Sequence, residues 1–202
     1  MKIANSEIIQ SLEDGKPLKL DFGSGKNPRQ GFYSVDHLDL GDVDIIADLN
    51  KPLNQLPNDC ADYVYSCHAL EHIDKFLPLM QEIHRITAKN GSIEIVVPHF
   101  SNVYGYSDPT HVRLFGLYSM NYFLSQENQP SIRRVPSFYT DFRFKLESVT
   151  IEFYRSGLID KILSPLFIKF VNRNMYTKDF YERRLSNIYH AWQIRYLMTP
   201  EK

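Results

Sequence analysis

The sequence predicts an α/β fold: a mostly parallel central sheet with an antiparallel edge strand and helices on both faces. Three observations carry that expectation. Residues 18–22 form an apolar run that ends in the turn Gly23-Ser24-Gly25, and residues 32–35 form a second run closed by Asp36. Residues 61–67 read as a further strand, and Phe76, Leu77, Met80, Ile83 and Ile86 then recur at helical spacing. Residues 92–97 are almost continuously apolar, as expected for a strand covered on both sides.

The 202 residues, 43% hydrophobic and 13% aromatic, suit one globular domain with an appendage and exclude disorder as the main state. No stretch approaches the roughly 18 apolar residues of a membrane span, and no apolar leader with a cleavage site follows Met1, so a soluble, cytoplasmic protein is expected. Cys60 and Cys67 lack metal-ligand pairing and read as free thiols in a reducing compartment. A net charge of -1 makes no case for nucleic acid as a partner. Residues 1–100 carry 9 Lys and Arg against 15 Asp and Glu, a balance of -6, while residues 101–202 carry 14 against 9, a balance of +5. The C-terminal half therefore suits an anionic acceptor or membrane surface, or presents an ordinary solvated basic face.

In chain order, residues 6–14 suit a short amphipathic helix with Ile8, Ile9 and Leu12 on one side, stopped by Gly15-Lys16-Pro17. At Gly23-Ser24-Gly25 the missing Cβ atoms let backbone approach a ligand, and Asp36 stands where an open α/β sheet puts a ribose-binding carboxylate. Only residues 23–31 separate these two strands, whereas a βαβ crossover takes at least about 10 to 12 residues, so the crossover helix must be very short or replaced by a loop. Pro28 stands where a dinucleotide fingerprint wants glycine, which argues against a pyrophosphate on a long helix N-terminus. Residues 43–47 form a third short strand ending at Asp48, which either faces a ligand or caps the turn before Pro52. Asp74 is the expected N-cap of the next helix and Asn90-Gly91 its stop.

Leu20-Asp21-Phe22-Gly23-Ser24-Gly25 resembles motif I of class I S-adenosylmethionine-dependent methyltransferases, whose ligand carries adenosine but no phosphate. Residues 61–73, with Leu70-Glu71-His72 opening the next helix, resemble motif IV, and Asn90-Gly91 before residues 92–97 is similar to the family's post-helix turn and fifth strand. Pro98-His99-Phe100 with Asp108-Pro109-Thr110-His111-Val112-Arg113 resembles a small bacterial branch of that family. The resemblance spans about residues 18–113. It implies a Rossmann-like methyltransferase fold and S-adenosylmethionine as cofactor. Asp21, Gly23, Ser24 and Gly25 would surround its amino-acid portion, and Asp36, with His37 beside it, its ribose. Asp48 and Leu49 would meet the adenine, and Cys67 and His68 would border the methionine side, with Glu71 and His72 shaping the turn.

Residues 98–113 start at the carboxyl end of a central strand and so overhang the cleft. His99 and His111 are candidates to accept a proton from an acceptor hydroxyl, with Asp108 to orient a histidine and Arg113 to hold an anionic substituent. A metal on His99, Asp108 and His111 is the competing reading, as is Asp108-Pro109 opening a helix on which His111 merely packs. No spacing here is that of a metal motif, and His68 and His72 lack the pattern of a His-Glu-x-x-His helix, so no metal is expected. Residues 114–124 read as a helix, 125–137 as a polar loop with Arg133 and Arg134, and 142–153 as strand. Residues 158–171, interrupted at Pro165, suit a packed helix pair, a lid, a homodimer face or a membrane-surface segment. Residues 176–198 read as a last helix with Phe180, Leu185, Ile188, Trp192 and Tyr196 near one face. The expected organisation is a cofactor-binding domain over 1–155 and a helical extension over 156–202. The expected activity is methyl transfer to an oxygen or nitrogen of a small-molecule, saccharide or lipid acceptor. A nicotinamide-dependent oxidoreductase and a non-catalytic S-adenosylmethionine-binding partner subunit are the alternatives.

Overall fold

The structure is a computed structural model that describes residues 1–154 and 158–202. Its strands are β1 (Lys2–Ile3), β2 (Leu18–Phe22), β3 (Tyr33–Asp36), β4 (Ile45–Ile46), β5 (Ala61–Cys67), β6 (Thr87–Pro98), β7 (Arg143–Phe153) and β8 (Ala191–Glu201). Its α-helices are α1 (Ser6–Glu13), α2 (Phe76–Ile86), α3 (Leu158–Val171) and α4 (Met175–Arg184). The strands form one sheet in the order β1-β4-β3-β2-β5-β6-β8-β7. The five strands from β4 to β6 are parallel, whereas β8 is antiparallel to β6 and to β7, and β1 is antiparallel to β4. The chain steps outward from β2 to β3 and β4, then returns to β5 on the other side of β2. That reversal opens a crevice at the carboxyl ends of the strands.

Leu20, Phe22, Val64, Ile93, Ile95 and Val97 are at most 1% exposed, as parallel strands covered on both faces require. Between β2 and β3 there is no α-helix; the ten-residue link, 23–32, is bridged by turns. In α1 the Asn5 side chain accepts from the Glu7 amide, and Ile8 is buried while Ile9 is exposed, so the apolar stripe is narrower than expected.

Several boundaries differ from the sequence expectation. The turn after β5 is a single 3₁₀ turn, Leu70–His72, rather than the opening of a helix. The N-cap of α2 is Lys75, not Asp74, and it makes no side-chain cap; its amide donates to Asn50 Oδ1. The helix stops at Ile86, before Asn90-Gly91, because Thr87 is extended and its hydroxyl donates to the Ile83 carbonyl. Asn90-Gly91 instead lies inside β6, where pairing with β5 jumps from Ala61↔Thr87 to Tyr63↔Ser92. A Cβ on Gly91 would meet Thr87 Cγ2 at 2.7 Å, so this bulge needs glycine.

The expected helix over 114–124 shrinks to the 3₁₀ segment Ser119–Phe123. The Gly116 and Leu117 amides are taken by the Ser119 hydroxyl and the Glu182 carboxylate, which competes with helix formation. Pro165 lies within the one helix α3, in place of a helix pair. The largest departure is at residues 176–198: α4, opened by an Asn174–Thr177 capping box, ends at Arg184, and β8 begins at Ala191. The stretch expected as helical extension thus supplies a strand of the central sheet; its expected start, at Ser156 after Arg155, lies outside the described residues. Among the described residues no helix is long and apolar enough to cross a membrane.

Candidate active site

Two neighbouring cavities open at the carboxyl ends of the parallel strands and share Gly23. The first, about 480 Å³, is bounded by the ends of β2, β3 and β5 and the segment after β4. Gly23 is required there twice over. Its φ is +70°, and a Cβ would lie 2.2 Å from the Ala69 Cβ, so the turn after β2 presses directly on the turn after β5. Gly25 also has positive φ, and its amide donates to Asp36 Oδ2 at 3.0 Å.

Asp36 is 7% exposed and lines this cavity. Its Oδ1 accepts from the Leu38 amide at 3.1 Å, with His37 Nδ1 3.2 Å away. A carboxylate has about four acceptor positions, so two amides leave capacity for ligand hydroxyls. Ala47, Leu49, Ala69 and Ile73 give apolar walls, and Asp48, His37 and Asn50 stand at the rim. The Asn50 amide holds the Asp48 carboxyl below its ordinary value against the opposing effect of burial, and Lys51 adds to the lowering. His68 lines the same cavity with φ +53°, unusual for a residue with a side chain. Its Nε2 is 2.7 Å from Gln193 Oε1, and Glu71 beside it raises its pKa.

The second cavity, about 520 Å³, is lined by Asp21, Ser24, Arg29, Cys67, Glu94 and Arg195 among others. Burial raises the Asp21 carboxyl above its usual range although the Arg29 amide, 2.8 Å from Oδ2, acts the other way. Burial likewise raises the Cys67 thiol. Glu94 binds Arg29 at 2.7 Å, Tyr63 Oη at 2.6 Å and Arg195; together they keep its carboxyl low in spite of burial. The Ser24 hydroxyl is buried without a hydrogen-bond partner.

The loop over 98–113 reaches the first cavity through Thr110. Its candidate catalytic residues part company. His111 and Asp108, which themselves line neither cavity, stand together beside Thr110, with Nε2 and Oδ2 3.7 Å apart. His99 does not line either cavity: it is 1% exposed, fixed between Ser101 Oγ at 2.8 Å and Glu182 Oε1 at 3.1 Å. Arg113 is spent on the Ile73 and Asp74 carbonyls and lies over the Phe76 ring, so it ties the loop to the start of α2. Asp108-Pro109 opens no helix.

Sequence reasoning gave no role to Thr110, Asn50 or Gln193, read Glu71 and His72 as shaping a turn, and set aside a metal on His68 and His72. Glu71 is 1% exposed, and its Oε1 lies 3.5 Å from His68 Nδ1, 4.0 Å from His72 Nε2 and 3.9 Å from His111 Nε2. The signal available was the density of histidine around one acid at 68–72.

These groups fit an adenosine-bearing sulfonium ligand. A buried acid faces a cavity of nucleoside size with apolar walls, and an adjoining polar cavity holds both signs of charge and an unsatisfied hydroxyl.

Residues 20–95 match the family model described as "Methyltransferase domain". No curated protein matches the sequence significantly. Among solved structures, the chain is similar to a SAM dependent methyltransferase from Archaeoglobus fulgidus, at 19% identity over 96% of this chain and 91% of that one, with a TM-score of 0.55. It is also similar to the YcgJ protein from Bacillus subtilis, at 11% identity over 98% of each chain, with a TM-score of 0.52. At these identities the likeness is one of fold. The residues matched, 20–95, lie on the Rossmann-like sheet. The match over residues 20–95 points to methyl transfer, and the fold is one shared with S-adenosylmethionine-dependent methyltransferases.

Proposed function

We propose that this methyltransferase, of the small bacterial branch its 98–113 segment resembles, methylates an oxygen or nitrogen of a small-molecule, saccharide or lipid acceptor. S-adenosylmethionine supplies an electrophilic methyl group at its sulfonium. Asp36 would accept from the ribose hydroxyls, and Asp48, Leu49 and His37 would border the adenine end. The Gly23-Ser24-Gly25 backbone, Asp21, Cys67 and His68 would hold the amino-acid portion, with the charges of the second cavity complementing its ammonium and carboxylate. The acceptor would enter beneath the 98–113 loop, where His111 and Asp108 meet. His99 and Arg113, which hold that loop in place, are positioning residues in this reading. Much of the rate would come from fixing two reactants at attacking distance.

The observation that carries the reading is a buried acid bridging the glycine turn and a nucleoside-sized cavity. Calorimetry with S-adenosylhomocysteine and, separately, NADH tests it. Binding of the first is expected; binding of NADH alone would overturn it. Tritiated methyl donor offered to fractionated cell extract, with label expected in the saccharide, lipid or small-molecule fraction, tests the acceptor. Label confined to macromolecular protein or nucleic acid would exclude that class.

A further inference from the structure

Glu71 poses an electrostatic problem that the methyltransferase reading leaves unsolved. Its carboxylate is 1% exposed, neither oxygen has a hydrogen-bond partner, and the nearest imidazole nitrogen, His68 Nδ1, stands 3.5 Å from Oε1. A buried carboxylate left in that state is costly. Its surroundings are imidazole nitrogens, and one of these can be assigned. Thr110 Oγ1 donates its single proton to Asp108 Oδ1 at 2.6 Å, so towards His72 Nδ1, 2.8 Å away, it acts as acceptor. The Thr110 carbonyl, 3.3 Å from the same nitrogen, is also only an acceptor. His72 therefore carries its proton on Nδ1. In the neutral ring the Nε2 lone pair then faces Glu71 Oε1 at 4.0 Å, two electron-rich atoms with no proton of His72 between them.

We propose that Glu71, His72 and His111 bind a divalent transition-metal ion of the zinc type at the acceptor side of the cofactor cleft. The three ligand atoms lie within 4.8 Å of one another. Tetrahedral zinc with bonds of about 2.0 to 2.2 Å places ligand atoms about 3.4 Å apart, a distance that small side-chain rotations reach. Two imidazoles and one carboxylate are a donor set suited to such ions, and they leave a position open. The Nδ1–H of His72 held by Thr110 is the outer-shell bond that fixes a metal-binding imidazole. Asp108 Oδ2, 3.7 Å from His111 Nε2, is within reach as a further ligand or a second outer-shell partner. Because His72 and Thr110 also line the cofactor cavity, the open position would face an acceptor oxygen. That use of the ion rests on the methyl-transfer reading; the binding of the ion does not.

The test is titration of the full chain, stripped with EDTA, with Zn²⁺ alone by calorimetry and with Co²⁺ alone by visible absorption. One ion per chain is expected, with Co²⁺ bands of a low-coordinate site. E71Q, H72Q and H111Q, each checked for folding by circular dichroism, should weaken binding beyond the roughly 10- to 100-fold that loss of an outer-shell partner costs, and T110V should weaken it within that range. Absence of stoichiometric binding to the wild type would overturn the proposal. So would unchanged affinity in any two folded ligand variants. Failure of the wild type to bind S-adenosylhomocysteine would instead sink the methyl-transfer reading and leave the metal result standing.

Discussion

At Asp36 one carboxylate holds the glycine turn through the Gly25 amide and keeps lone pairs towards the cavity. Asp36→Ala should weaken S-adenosylhomocysteine binding by about 1 to 3 kcal/mol, the cost of leaving buried hydroxyls unpaired. Calorimetry reads this directly, and an unchanged affinity would mean the acid faces elsewhere. Gly23→Ala is expected to destabilise the protein through both a positive φ and a 2.2 Å collision with Ala69. Adding Ala69→Gly should recover the collision and leave about 1 to 2 kcal/mol of backbone cost. Chemical denaturation of the single and double variants separates the two; no recovery in the double would refute the contact. Gly23 and Asp36 were legible because their chemistry is local: a turn that excludes a side chain, and an acid that ends a strand. Glu71 was not, since its meaning depends on His111, which lies 40 positions away in the chain and reaches it only when the 98–113 loop folds back. His99 misled for the same reason. In sequence it is a histidine in a polar loop, and only Glu182 and Ser101 reveal that its ring is enclosed.

Among the elements, α2 is pinned to the preceding segment by one ion pair. Glu82 binds Arg85 at 2.9 Å through both oxygens and accepts from the Leu53 amide at 2.7 Å, while Arg85 reaches the Leu56 carbonyl. Arg85 first, and the Leu53 amide with it, hold the Glu82 carboxyl below its ordinary value of 4.5, with burial opposing. A depressed carboxyl contributes stability above its unfolded pKa and loses it as pH falls through the folded one. Glu82→Gln should therefore cost about 1 to 2 kcal/mol at pH 7. The gap from wild type should close progressively below about pH 4.5. Parallel thermal melts across pH 3 to 7 check this, and a gap independent of pH would refute it. The sequence revealed α2, β2 and β5 because their apolar periods are long and uniform. It concealed β8, where Trp192 and Tyr196 also satisfy a helical period. The better signal was the alternation Ile194, Tyr196, Met198, all fully buried, against half-buried Gln193, Arg195 and Leu197.

For the whole molecule, β8 is the keystone between the parallel strands and the antiparallel edge. It pairs with β6 and with β7, and its Arg195 joins Glu94 of β6 to Glu152 of β7. A helical appendage could be removed with modest loss, but β8 could not. A chain ended after residue 190 is expected to lose cooperative unfolding altogether, since β7 would have no neighbour in the sheet. Near-ultraviolet circular dichroism and thermal melting of the truncated chain decide it; a native-like melt would contradict the topology. The parallel half was readable because each strand ends in a recognisable motif, whereas strand order on the antiparallel side depends on pairings that no local pattern states.

The helix-free link from β2 to β3 has a further consequence. Arg29 anchors it, with its amide on Asp21, its guanidinium on Glu94, and the Tyr65 ring 4.3 Å beneath its charge. Such a segment is already immobilised before any nucleoside arrives. Association then spends little on ordering backbone, and free and bound forms of the link should superpose within about 1 Å.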